Sequence, residues 1–211
     1  MDYSNALGSE FQTVRNVERE GQPARVVECA RDYAADATTL WAALTDPECI
    51  PRWFLPISGD LKVGGRYQLE GNAGGSILVC DSPEVVEVTW EFGGNTSWLN
   101  LRLTPQGDGV RLILTHTMPQ DDASEEHWAK YGPGATGVGW DLSFVGLALH
   151  LENDGASIDQ EASMAWMTSD EGKVFIRASA ESWGRAHVAS GESAEVAEAM
   201  AQRTASFYTG E

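Results

Sequence analysis

Cysteine is scarce in this chain. There are three in 211 residues, Cys29, Cys49 and Cys80. They are odd in number and far apart, with no CxxC and no Cys/His ligand spacing. That excludes a disulfide framework and a structural zinc site. Positive charge is scarce as well: 14 Lys and Arg stand against 32 Asp and Glu, for a net charge of -18. Phosphate backbones and anionic bilayers both require a basic footprint, so neither nucleic acid nor a membrane surface is expected as a partner. The plain reading of the charge is a solvated acidic surface; the alternative is a field that steers a cationic ligand or a basic protein. No apolar run approaches about 18 residues, and residues 1–21 lack the apolar core of a secretory leader. The expected location is the cytoplasm, where the sequon Asn95-Thr96-Ser97 has no meaning. Catalytic signatures are missing too. There is no Ser/His/Asp order, no nucleophile elbow, no paired-carboxylate signal and no EF-hand spacing.

What is present is a run of strands between helices. Residues 1–23 have no clear periodicity and are expected as a loosely packed arm. Alternation begins at Arg25 and runs to Tyr33. Asp36 suits the N-cap of a helix over 37–45, which Pro47 ends, and a short aromatic turn of helix follows between Pro51 and Pro56. Strands are expected over 61–71, 76–80, 85–92, 98–104 and 110–118, separated by Gly-, Asn- and Pro-rich turns. In 85–92 the inward set is Val86, Val88, Trp90 and Phe92. In 110–118 it is Val110, Leu112, Leu114 and His116. This is an antiparallel meander with one buried face. Beyond Pro119, an acidic helix over 121–131 is followed by a glycine loop over 132–137 and a long apolar helix over 139–151. That helix must cover the sheet. The expected class is α+β with a helix-grip fold: a curved antiparallel sheet around a long helix. Residues 155–211 add a helical extension, in which Thr168-Ser169-Asp170-Glu171 has the form of a capping box. The domain reading is an arm over 1–23, a helix-grip domain over 24–154 and an extension over 155–211.

With these residues in view, the chain resembles the START-like (SRPBCC) superfamily, and within it the bacterial proteins related to the activator of Hsp90 ATPase. The resemblance is carried by Leu40-Trp41-Ala42-Ala43-Leu44-Thr45-Asp46-Pro47-Glu48 and then Trp53-Phe54-Leu55-Pro56. It continues through Gly64-Gly65-Arg66-Tyr67, Asp81-Ser82-Pro83-Glu84, Leu112-Ile113-Leu114-Thr115-His116 and Gly139-Trp140. It spans about Val26 to Leu151. It implies a sheet of six or seven strands curled around the final helix, with a cavity between them. The namesake's co-chaperone role does not transfer on fold alone.

Candidate site residues follow from the inward face. His116 is either a proton donor or acceptor in a cavity or a core histidine bonded to backbone. Trp53, Tyr67, Trp90, Trp140 and Phe144 either line a pocket for a flat hydrophobic ligand or pack as plain core. Gly132, Gly134 and Gly137 match GxGxxG but lack the preceding strand of a dinucleotide site, which leaves a flexible lid or a tight lead-in to the long helix. Asp121, Asp122, Glu125 and Glu126 form an acidic cluster that reads as solvated surface rather than a cation site. Cys29 and Cys80, in strands, read as small buried hydrophobes, and Cys49, between helices, has reactivity as a minor option. The functional expectation is a binding module for a small hydrophobic molecule, with no cofactor or metal. The alternatives are a cyclase- or dehydratase-type enzyme using His116 and Tyr67, or a regulatory protein-interaction module. A homodimer or protein partner is expected through the C-terminal helices.

Overall fold

The computed structural model describes Glu10–Glu211. Eight strands and seven helices form within that span: β1 (Glu10–Arg19), β2 (Gln22–Tyr33), α1 (Ala37–Thr45), α2 (Ile50–Trp53), β3 (Ile57–Gly59), β4 (Arg66–Leu69), β5 (Gly74–Asp81), β6 (Val85–Phe92), β7 (Asn95–Gln106), β8 (Gly109–Pro119), α3 (Asp122–Tyr131), α4 (Gly134–Glu152), α5 (Gln160–Thr168), α6 (Asp170–Ala189) and α7 (Ala194–Thr209). The strands make one sheet in the order β1-β2-β8-β7-β6-β5-β4-β3. All ladders from β3 to β8 are antiparallel. The α+β helix-grip class read from the sequence is the one observed.

The sheet has one or two strands more than the six or seven that the resemblance implies, and two of its eight were not expected from the sequence. One is β1, in the stretch expected as an arm; the remainder of that stretch, residues 1–9, lies outside the described residues. β1 is joined to β2 through Glu20 (φ 54°) and Gly21 (φ 77°), a two-residue turn with both central residues at positive φ. Glu-Gly is a weaker turn signal than Asn-Gly, so the hairpin was not legible. The other is the short β3, which pairs Ile57 with Leu69.

The chain divides into two compact units that are not a linear series. The first takes the chain up to Cys29, Pro119–Ser143 and Asp159–Glu211; the second takes Ala30–Met118 and Phe144–Ile158. In the first unit, α6 packs on β1 and pairs with α7. The helices open on side-chain caps: Asp121 for α3, Asp159 for α5, Ser169 for α6 and Ser193 for α7. Ser169, rather than Thr168, is the capping residue. The glycine stretch is also not a lid. Gly134 and Gly137 are helical, in the first turn of α4. A Cβ on Gly137 would lie 2.1 Å from Trp183 Cε2, so glycine there lets the helix press against the indole. In the second unit, α1 and α2 precede the meander. A core of Ile50, Tyr67, Leu69 and Ile77 packs with Phe54, Val88 and Trp90. Phe92, expected inside, is 59% exposed, because β6 ends there in the Gly93-Gly94 turn.

Candidate functional site

Five of the six candidate side chains lie in the second unit, and three of them, Tyr67, Trp90 and His116, share one stretch of sheet. Register places Tyr67 opposite Gly75 and Trp90 opposite Ser97, while Leu99 faces both Val88 and His116. Strand alternation puts Trp90, Ser97, Leu99 and His116 on a single face. Trp90 and His116 meet edge to face at 6.1 Å. Gly75 is what allows Tyr67 its position. A Cβ there would stand 2.0 Å from the Thr89 carbonyl oxygen, and that carbonyl instead accepts a 2.8 Å hydrogen bond from the Tyr67 hydroxyl. Burial pushes the Tyr67 phenol well above its ordinary range, with the charge of Glu91 adding to it and that of Arg66 opposing.

His116 is 6% exposed and its Nε2 lies 2.8 Å from Ser97 Oγ. The same hydroxyl donates to the Trp90 carbonyl at 3.1 Å. A hydroxyl has one proton, so with that proton on the carbonyl, Ser97 accepts the N–H of His116. Burial pulls the His116 imidazole down to about 4, so at neutral pH it is uncharged. A base that weak is ill matched to proton transfer near pH 7. The arrangement favours an uncharged imidazole held in a polar chain over a general acid or base.

Trp53 closes α2. Its indole stacks on Phe54 at 5.3 Å and donates from Nε1 to the Ala43 carbonyl at 2.8 Å. Arg52 beside it receives the Ile158 N–H on its own carbonyl at 2.7 Å and donates from its guanidinium to the Gly155 carbonyl at 3.3 Å. The short aromatic helix is therefore fixed to the chain that leaves α4. Phe144 is buried on α4, edge to face with Tyr33 at 6.3 Å, and its carbonyl accepts from the Tyr33 hydroxyl. Trp140 is buried one turn earlier on the same helix, in the first unit.

Among the buried polar groups that sequence reasoning missed, three stand out. Arg31 is buried on β2 with its guanidinium 5.7 Å from the Tyr33 ring centre. His150 is buried on α4 and bonds the Ala156 carbonyl through Nδ1 at 2.8 Å. Asp141, in the first unit, is 0% exposed; its Oδ2 accepts from Gln12 Nε2 and Ser179 Oγ at 2.5 Å each and from Trp183 Nε1 at 3.0 Å. The donors to Asp141 come from β1 and α6, more than a hundred residues apart, so no local pattern could signal the cluster. The acidic cluster has structural uses. Asp121 caps α3, and Glu125 takes a two-pronged ion pair from Arg25. No group of metal-ligating side chains occurs among the described residues.

Residues 34–152 match the family described as Activator of Hsp90 ATPase homolog 1-like protein. In structure, the chain is similar to CalU16 from Micromonospora echinospora. Against its crystal structure the TM-score is 0.65 at 26% identity, covering 87% of this chain and 99% of that one. Against its solution structure the TM-score is 0.70 at 28% identity, covering 89% and 100%. Residues 1–152 are less than three-quarters of this chain, so the likeness to CalU16 reaches into the helices beyond the family segment. Protein MLL2253 from Mesorhizobium loti shares the fold at a TM-score of 0.53 and 20% identity, covering 61% of this chain and 98% of that one. No curated protein matches in sequence. No helix among the described residues is long and apolar enough to cross a membrane.

Proposed function

We infer that this chain, which belongs to the Activator of Hsp90 ATPase homolog 1-like family, is a binding module that takes a small hydrophobic molecule on the inner face of its sheet, against α4. The observation that carries this reading is the way the site's polar groups are spent. The Tyr67 hydroxyl goes to the Thr89 carbonyl, the Trp53 indole to the Ala43 carbonyl, and the Ser97 hydroxyl to the Trp90 carbonyl and His116. What these side chains offer a guest is aromatic and aliphatic surface, which suits an apolar molecule. Trp53, Tyr67, Trp90, His116 and Phe144 are the proposed lining, with Trp140 one turn away on α4. An enzyme using His116 is the weaker reading, since an imidazole near 4 is a poor base at neutral pH. None of the three cysteines is in a disulfide, which supports the cytoplasm as the place of action.

Native mass spectrometry of the purified chain, set against its denatured mass, tests the reading. The expected result is a non-covalent adduct of small-molecule mass, lost on denaturation, or uptake of added apolar probes that Trp90→Ala weakens. His116→Gln is expected to retain binding, because the amide can still reach Ser97. An apo mass together with no uptake of any apolar probe would overturn it. So would turnover of a substrate that disappears in folded His116→Gln.

A further inference from the structure

The α6–α7 hairpin presents a groove of about 710 Å³ on its outer side. The floor is Gly184, Ala197, Ala201 and Ala205, with Val188 at one end. The two helices come close there: a Cβ on Gly184 would lie 3.2 Å from that of Ala201. Side chains this small leave a shallow valley into which a third helix can seat at short interaxial distance. The valley floor is apolar and open, and Val188 at its end is 41% exposed.

The charges around the valley indicate what covers it. Glu181 and Arg185 of α6 and Glu198 of α7 line it, and none of the three is in a salt bridge among the described residues. Arg177, farther along, is held by Glu211. An acidic partner would meet Glu181 and Glu198, and a basic partner would meet Arg185. A face of mixed sign with an apolar floor matches its own two-fold image, in which residue i meets j and j meets i. The size also fits. A 16-residue α7 is about 24 Å long and two adjacent helices are about 20 Å wide, giving roughly 500 Å² per copy and about 1,000 Å² in all. That is the lower bound for a specific interface, so association should be weak and concentration-dependent.

We propose that two copies of this chain pack face to face through their α6–α7 hairpins, the ridge of each lying in the groove of the other, with Arg185 of each copy meeting Glu198 of the second. The proposal does not depend on the ligand reading.

Sedimentation velocity of the full-length protein over a range of concentrations tests it. The weight-average mass is expected to rise from that of the 22.8 kDa chain towards twice that value. Arg185→Glu and Glu198→Arg should each weaken association by about tenfold or more. The double exchange R185E/E198R should restore it, because each reversed charge then meets its opposite. Both positions are exposed, so unchanged melting curves will show that the fold is intact. A wild-type chain that stays monomeric throughout would overturn the proposal and leave the groove to a helix of another protein. A dimer indifferent to both single reversals would overturn it as well.

Discussion

His116 and His187 give the molecule a dependence on pH at the level of single residues. Burial lowers the pKa of both. At His187 the charge of Arg25 lowers it further, against the opposing effect of Glu192. For a base whose folded pKa lies below its unfolded one, the unfolded state binds the extra proton first. Stability is then full above about 6.5 and is lost as the pH falls towards the folded value. For His116, with its folded value about 4, the loss is on the order of 3 kcal/mol at the acid end. Urea unfolding at pH 7 and pH 5 should show the decline, and His116→Gln should flatten much of it. Glycine is the other sensitive residue type. Gly75→Ala would drive a methyl into the Thr89 carbonyl, and Gly137→Ala would drive one into the Trp183 ring. Each is expected to cost about 3 kcal/mol, as overpacking against atoms that cannot retreat, and to lower the denaturation midpoint accordingly.

At the scale of elements, α3 is held by one residue more than by any other. Arg25 pairs with Glu125 and lies 4.6 Å from the Trp128 ring centre, while Trp128 meets His187 edge to face at 5.3 Å. Arg25→Ala should release α3 before anything else; hydrogen exchange should rise over 122–131 and stay low over α6. The element scale also shows what a sequence can carry. The bounds of strand β6 were legible, because Val86, Val88 and Trp90 alternate and glycines follow; only its last residue, Phe92, faces out against expectation. The helix over 37–45 was legible from its Asp36 cap and Pro47. β1 was not, because its register depends on a Glu-Gly turn and on Gln12 reaching Asp141, which only the fold brings together. The start of α4 was misread because glycine is a poor helix former in isolation, whereas here contact with Trp183 and Thr204 demands it. Along the strands, the shared face of Tyr67, Trp90 and His116 was legible from alternation; Trp53, Trp140 and Phe144 sit on helices, where alternation says nothing. Ser97 was not legible, since a serine on a strand carries no mark of the imidazole it will meet.

For the molecule as a whole, the discontinuous first unit implies that residues 159–211 are not an appendage. α6 supplies Ser179 and Trp183 to Asp141, and α7 accepts α3 through Thr204 and Arg203, which bond the Tyr131 and Lys130 carbonyls. A chain ending at residue 158 should therefore bare the apolar sides of β1, α3 and the first half of α4. It is expected to bind apolar dyes and to lose its near-ultraviolet circular dichroism, which size-exclusion and spectroscopy together would register. Asp141→Ala in the full chain should cost about 3–5 kcal/mol by stranding the buried Ser179 and Trp183 donors and the half-buried Gln12 amide. The polar groups that turn away from the inner face into the backbone have one more implication. A guest met only by carbon would be sorted by bulk and contour, with each extra methylene changing affinity by about 1–3 kcal/mol. No lost hydrogen bond would be there to reject a close analogue. Such a protein would grade its guests along a series instead of choosing one, and related molecules should compete for it in order of size.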